Sequence, residues 1–374
     1  MSTFAGNNVI AMGKKFVLAI DSFKGCMTSV EAERAVERAL RSRVGDVEIV
    51  SLPMADGGEG MLGAFTAALG GRIERTWVHN QMMRRVEAKY GVAPGGTAIV
   101  EVAEACGLTL VDEDERNPMR ATTYGVGELV ADVVGKGYRR FIVGLGGSGT
   151  SDAGIGMLRA LTDRLAPRGG TIDDALAGAL GECSFTLASD VDNPLCGPRG
   201  AAMVFARQKG ATAEMIPRLE ERARRFARMS ALHFGYDRSG CPGAGAAGGL
   251  GYAFMQYLGG ETRSGADLLL DVSGFDDALD GASCVITGEG HADGQTLMGK
   301  LPLRVMRRAG RKGVPTWLLA GRVSGADRLL SAGFAKVICV TPDGMDTAEA
   351  VKKEVAVGNV CSAVVKLSLI HISE

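Results

Sequence analysis

Carboxylates recur at short spacing in three segments of this 374-residue chain, and two of these segments also contain a lysine. The residues concerned are Asp21 with Lys24, Asp56 with Glu59, and Glu289 with Asp293 and Lys300. Phosphoryl transfer uses this combination, because the protein mainly supplies carboxylates for a metal ion, cations for the phosphates and a base near the accepting hydroxyl. In any single loop the same residues could simply cap helices and form turns. Several such loops at one sheet edge favour the chemical interpretation.

A glycine-rich stretch, Gly144–Gly149, follows the short apolar run Phe141–Val143 and precedes an apolar-periodic segment that ends at Leu161. This order predicts a strand, a tight loop and the start of a helix. Glycine lets a ligand approach the backbone closely, and the N–H groups at a helix N-terminus attract anions. The stretch therefore predicts a phosphate or carboxylate site, in which the N–H groups of Gly146, Gly147 and Ser148 hold the anion.

Two nucleotide-binding motifs match parts of the chain only weakly. The string GLGGSG fits the dinucleotide fingerprint, but GAGAAG at 243–248 fits it too without a preceding strand, and segment 165–178 lacks the strand-terminal acid of a Rossmann unit. Residues 294–300 fit the P-loop string, but Leu301 stands where the hydroxyl ligand of Mg²⁺ is required. A P-loop NTPase is disfavoured, and an NAD-dependent hydroxy-acid dehydrogenase stays an alternative.

Composition excludes several classes of partner. The 42 Lys and Arg residues against 43 Asp and Glu residues leave a net charge of −1, which predicts no binding to nucleic acid or to an anionic membrane. No apolar run is long enough to span a bilayer. The eight scattered cysteines form no CxxC pair and predict reduced thiols in the cytoplasm, with Cys284 and Cys339 buried in strands. We expect a cytoplasmic protein with small-molecule substrates, and a homodimer stays open.

The order of elements predicts an α/β fold of two domains. Five short apolar runs of the parallel type lie at 16–20, 48–52, 284–287, 316–319 and 337–340, and each is followed by a polar or glycine-rich loop. Between the second and third runs, an antiparallel hairpin at 85–92 and 97–102 breaks the rhythm. We predict a flavodoxin-like parallel-sheet domain (12–72 and 281–366) interrupted by a second α/β domain (73–280), with ligands at the carboxyl ends of the strands. Residues 367–374 are interpreted as a non-native tail.

Eight ordered blocks of the sequence resemble the bacterial glycerate kinases of the glycerate 2-kinase type. The blocks are DSFKG (21–25), MADGGEG (54–60), VEVAEACGL (100–108), GLGGSGTSDAGIGM (144–157), SDVDNPLCG (189–197), RQKGA (207–211), GAGAAGGLG (243–251) and TGEGHADGQTLMGKLP (287–302). The resemblance implies that ATP phosphorylates (R)-glycerate, usually to 2-phosphoglycerate, with 3-phosphoglycerate left open. It also implies that the inserted domain resembles a restriction-endonuclease fold and that the active site lies in the cleft between the domains.

With this resemblance, the candidate residues receive roles. Lys24 and Lys300 are predicted to neutralise phosphate, and Asp190, Asp192 and Asp293 to coordinate Mg²⁺ or orient the substrate hydroxyl; Asp56 is a further metal candidate. The predicted cofactor-binding residues are Asp21, Ser22, Gly57, Gly58, Glu59, Gly146, Gly147, Ser148, Gly288, Glu289 and Gln295. The chain departs from the family pattern at Ser151, Ala153 and His291. A catalytically inactive sugar-acid binding protein is therefore a second alternative.

Overall fold

The computed structural model describes residues 14–23, 25–44, 47–55 and 60–371, with only the backbone described for 367–371. The chain divides into two compact units, and it passes from one to the other between Met54 and Ala55 and back between Val272 and Ser273. These change points differ from the predicted domain boundaries at 72/73 and 280/281.

Eleven strands lie within the described ranges. They are β1 (Lys14–Ile20), β2 (Val47–Ser51), β3 (Arg72–His79), β4 (Arg85–Ala93), β5 (Thr97–Glu101), β6 (Arg140–Gly144), β7 (Ser184–Ala188), β8 (Glu261–Arg263), β9 (Cys284–Ala292), β10 (Thr316–Val323) and β11 (Lys336–Cys339).

Fifteen α-helices connect these strands in the part of the chain that the structure describes. They are α1 (Ser29–Val44), α2 (Met61–Ala68), α3 (Ala103–Cys106), α4 (Tyr124–Gly135), α5 (Ile155–Leu165), α6 (Ile172–Ala177), α7 (Ala201–Phe205), α8 (Met215–Phe234), α9 (Ala246–Tyr257), α10 (Gly265–Val272), α11 (Phe275–Ala278), α12 (Leu301–Arg311), α13 (Ala326–Ser331), α14 (Thr347–Ala350) and α15 (Lys353–His371). None of the helices in the described ranges is both long and apolar enough to span a membrane.

The discontinuous unit contains a five-stranded sheet in the order β11-β10-β9-β1-β2, and all of its strand pairs are parallel. Numbered within this unit, the order is 2-1-3-4-5, which is the flavodoxin-like arrangement. The run Phe16–Ile20 is buried on both faces. Apolar residues of α1 and α15 cover one face of the sheet, and those of α12 and α13 cover the other. The prediction of a flavodoxin-like parallel sheet is confirmed.

The continuous unit contains a six-stranded sheet in the order β3-β4-β5-β6-β7-β8. Strands β3, β4 and β5 pair antiparallel, whereas β5 to β8 pair parallel, so the predicted hairpin is confirmed. Strand β3 was not predicted, because it lies at the sheet edge and has no run of buried apolar residues: Val78 is buried, but Ile73 and Trp77 are exposed. The resemblance of this unit to restriction endonucleases stays a prediction.

Three details of the predicted elements were wrong. Strands β9 and β10 do not end at Thr287 and Leu319, because their polar segments continue to pair as far as Val323 with Ala292. Gly288 and Glu289 are therefore strand residues and not loop residues. Cys339 is exposed, since β11 is an edge strand, whereas Cys284 is buried as predicted.

Candidate functional site

In the discontinuous unit, the end of β1 and the middle of β9 bring three predicted residues together. The N–H group of Asp21 donates to the carbonyl oxygen of Gly288 at 3.0 Å. The Asp21 carboxylate accepts the N–H of Ser22 at 2.7 Å and is almost completely buried. Parallel pairing of the two strands is the cause, because their register places Ile20 beside Gly288.

Glu289 is the centre of a second group in the same unit. Its side chain is buried in β9; Oε1 accepts the Thr296 hydroxyl at 2.6 Å, and Oε2 lies 3.2 Å from Nζ of Lys300. The Thr296 hydroxyl also accepts the N–H of Asp293 at 3.0 Å, and Oδ1 of Asp293 accepts the N–H of Gln295 at 2.8 Å. The loop from Asp293 to Lys300 is thus folded back onto the strand.

Lys300 was predicted as a functional residue of this group, whereas Thr296 was not. Lys300 is the N-cap residue of α12, and its half-exposed side chain can contact an anion as well as Glu289. Thr296 had no predicted role, although the Asp-x-x-Thr spacing is a turn signal that could have indicated its contact with Asp293.

The predicted residues Lys24, Asp56, Gly57, Gly58 and Glu59 lie outside the described residues.

In the continuous unit, the glycine-rich loop lies between β6 and α5, as predicted. The loop is held on one side by two hydrogen bonds, from Leu108 N–H to the Gly147 carbonyl at 3.0 Å and from Gly149 N–H to the Cys106 carbonyl at 2.6 Å. Within the described ranges, the N–H groups of Gly146, Gly147 and Ser148 donate to no protein acceptor. Three successive unused donors form a surface that an anion can bind.

The N-terminus of α5 already holds a carboxylate from the chain itself. Asp152 is buried and accepts four hydrogen bonds of 2.8 to 3.1 Å, from the N–H and hydroxyl of Thr123 and from the N–H groups of Gly154 and Gly156. A ligand anion therefore has to bind to the loop before Asp152 and not to the end of the helix. Asp152 acts as a structural capping residue.

The second glycine motif, 243–251, packs against the first. A Cβ atom at Gly248 would overlap the carbonyl oxygen of Thr150, and Gly248 has a φ of +68°. The carbonyl oxygen of Gly248 accepts the N–H of Ala153 at 3.0 Å, and the N–H of Gly245 donates to the backbone carbonyl oxygen of Asn193 at 2.8 Å. The motif therefore supports two loops that carry candidate residues, a role that was not predicted from its sequence.

The loop after β7 carries the predicted acids Asp190 and Asp192. Oδ1 of Asp192 accepts a hydrogen bond from the Arg199 guanidinium at 2.9 Å, and both side chains are exposed. Among the residues that the structure describes, no three His, Cys, Asp or Glu side chains cluster as a metal site. The metal-binding roles of Asp192 and Asp293 stay predictions, and the two residues belong to different units.

Lys209 is a buried cation that lies beside the glycine-rich loop. It had no predicted role. Its Nζ donates to Oγ of Ser148 at 3.0 Å and to the carbonyl oxygen of Thr150 at 2.7 Å. Burial lowers the pKa of Lys209 to about 8, and the Cys106 thiol and Asp152 carboxylate oppose this shift. The lysine in the short polar block RQKGA was the signal that could have indicated it.

Fold and candidate site together describe an α/β protein in which polar and glycine-rich loops follow parallel strands. The model of the "Glycerate kinase family" matches residues 16–367. A glycerate kinase of Bacillus subtilis is 37% identical over 353 residues, covering 90% of this chain and 92% of that protein, and a glycerate 2-kinase of Escherichia coli is 37% identical over 83% and 86%. The crystal structure of a protein designated glycerate kinase 2 from Salmonella typhimurium has a TM-score of 0.82 and 33% identity, and covers 96% of this chain and 99% of that one. The chain belongs to the glycerate kinase family.

Proposed function

We propose that this protein transfers the γ-phosphate of ATP to (R)-glycerate and forms 2-phosphoglycerate. The names of the family and of its relatives support glycerate as the substrate, and ATP is the phosphate donor that the sequence resemblance implies. The observation that carries the proposal is the set of unused N–H groups at Gly146, Gly147 and Ser148, because both substrates are anions. All eight cysteines are free thiols, which suits the reducing cytoplasm.

In this proposal, the chain mainly binds and orients its substrates. The loop donors hold a phosphate or carboxylate group. Lys300 supplies a positive charge, and its hydrogen bond to Glu289 sets the position of its ammonium group. Orientation and charge stabilisation account for most of the rate enhancement in phosphoryl transfer. The base that accepts the hydroxyl proton is one of Asp190, Asp192 and Asp293; the ion pair and exposure of Asp192 make it the weakest of the three candidates.

Mg²⁺ would bind together with the phosphates of the nucleotide. The described residues contain no preformed cluster of metal ligands. Protein-bound Mg²⁺ usually needs only one or two carboxylates in addition to substrate phosphates and waters. Asp293 could supply such a carboxylate, with Asp56 as a further predicted ligand outside the described residues. The ion would neutralise charge on the transferred phosphoryl group.

The test is ADP release from ATP and Mg²⁺ with and without (R)-glycerate. Glycerate-dependent ADP is expected, and phosphorus NMR of the same mixture should show a phosphate ester on the 2-hydroxyl. An ester on the 3-hydroxyl would correct the product and leave the kinase assignment intact. Glycerate binding without ADP release, in a folded sample, would instead support the inactive sugar-acid binding protein.

A further inference from the structure

Lys209 lies in an environment in which a charged lysine is rare. It is 3% exposed, in the turn that follows α7. None of the carboxylates in the described ranges forms an ion pair with it. Lysine is seldom fully buried without an anionic partner, because removing its charge from water is energetically costly. A purely structural role would be served at lower cost by an apolar side chain.

The two hydrogen bonds of Lys209 determine which groups the glycine-rich loop can offer to a ligand. An ammonium group can only donate, so Oγ of Ser148 is the acceptor and the hydroxyl proton of Ser148 remains available for another partner. The same ammonium group holds the carbonyl oxygen of Thr150, which would otherwise be free to repel an anion. The donors that the loop can still offer then include the N–H groups of Gly146, Gly147 and Ser148 and the Ser148 hydroxyl.

We propose that Lys209 is a positioning residue that makes the loop Gly146–Thr150 an anion-binding surface and makes the Ser148 hydroxyl a donor beside the N–H groups of Gly146, Gly147 and Ser148. The inference rests on the proposed function only for the identity of the anion, which is the phosphate or carboxylate group of a substrate. Lys209 acts through Ser148 and Thr150 and through the positive potential that its charge creates at the loop.

The charge of Lys209 responds to pH near the working range of an enzyme. Its pKa is lowered to about 8 by burial, and the titratable groups that face it are the Cys106 thiol and the Asp152 carboxylate. The Cys106 thiol stays protonated in this range, because burial raises its pKa to about 12. As the pH rises past 8, Lys209 loses its charge and the loop should lose affinity for anions.

The experiment compares sulfate binding, by titration calorimetry, in the wild type, Lys209→Met, Ser148→Ala and a control, Lys312→Met. Sulfate is used because its charge is constant over this pH range. Lys312 pairs with Asp280 at the surface of the discontinuous unit and should not affect the loop. We expect binding to weaken at least tenfold in Lys209→Met, severalfold in Ser148→Ala and not at all in the control, and to weaken in the wild type between pH 7 and 9.

Two further readouts separate this role from a structural one. Lys209→Met should lack the weakening between pH 7 and 9, and in the ADP assay it should lose the alkaline decrease in kcat/KM with a midpoint near 8. Equal sulfate affinity in folded wild type and Lys209→Met, or no sulfate binding by the wild type, would overturn the inference whatever the ADP assay shows. If Lys209→Met does not fold, the pH dependence of the wild type and the Ser148→Ala comparison still decide the question.

Discussion

Lys209 makes the stability of the protein depend on pH in the opposite direction to its anion binding. The folded-state pKa of about 8 lies below the ordinary value of 10.5. Between these values the unfolded chain binds more protons than the folded one, so the free energy of unfolding should rise with pH. Urea unfolding of the wild type and Lys209→Met at pH 7.5, 8.5 and 9.5 measures this, because other titrating groups cancel in the difference. The wild type should gain stability relative to the variant, and parallel curves would show that folding does not lower the pKa of Lys209.

Asp152 is predicted to matter for stability more than for chemistry. Its carboxylate satisfies four donors around the start of α5, all of them buried. Asp152→Ala should lower the free energy of unfolding by about 3 kcal/mol, because buried donors lose a charged acceptor. Asp192→Ala is the control, since its exposed ion pair with Arg199 should contribute less than about 1 kcal/mol. Equal losses in urea unfolding for the two variants would contradict the capping role.

Gly248 of the second glycine motif packs closely against Thr150, and this contact explains why the motif requires glycine. In Gly248→Ala, the new methyl group would overlap the Thr150 carbonyl that Lys209 holds. We expect a loss of about 3 kcal/mol or more, from overpacking together with an unfavourable φ. Gly235→Ala is the matched control, because Gly235 also has a positive φ of +76° but has open space around its Cβ position. Gly235→Ala should cost only about 1 kcal/mol. A Gly248→Ala variant that is no less stable than this control in urea unfolding would show that the loops can separate without cost.

At the scale of elements, the sequence predicts strands well where burial imposes an apolar run. The predicted run Phe16–Ile20 is an example, because it lies within β1 and is buried on both faces. Edge strand β3 and the outer part of β9 carry polar side chains, so their pairing leaves no apolar signal. Backbone hydrogen bonding, which the sequence does not display, decides the length of these strands.

At the scale of the whole molecule, topology was easier to predict than contacts between loops. The predicted parallel sheet was enough to expect Asp21 and Gly288 near each other, although they are far apart in the sequence. The contact of Lys209 with Ser148, across 61 residues, could not be predicted in the same way. It depends on how the turn after α7 and the motif around Gly248 pack beside the loop, which has no local pattern.

The C-terminal helix offers a test of where the folded chain ends. Residues Ala356, Val360 and Val364 of α15 are buried against α1, and Lys353 pairs with Glu31 of α1. The family match ends at residue 367, which is also the first residue of the predicted non-native tail. Deleting 367–374 should therefore change the free energy of unfolding by no more than about 0.5 kcal/mol. Deleting 354–374 should lower it by about 3 kcal/mol or more, because it removes three buried apolar side chains and exposes the face of α1. Urea unfolding of both truncated proteins beside the full chain measures this, and a large loss in the shorter deletion would mean that the last eight residues belong to the fold.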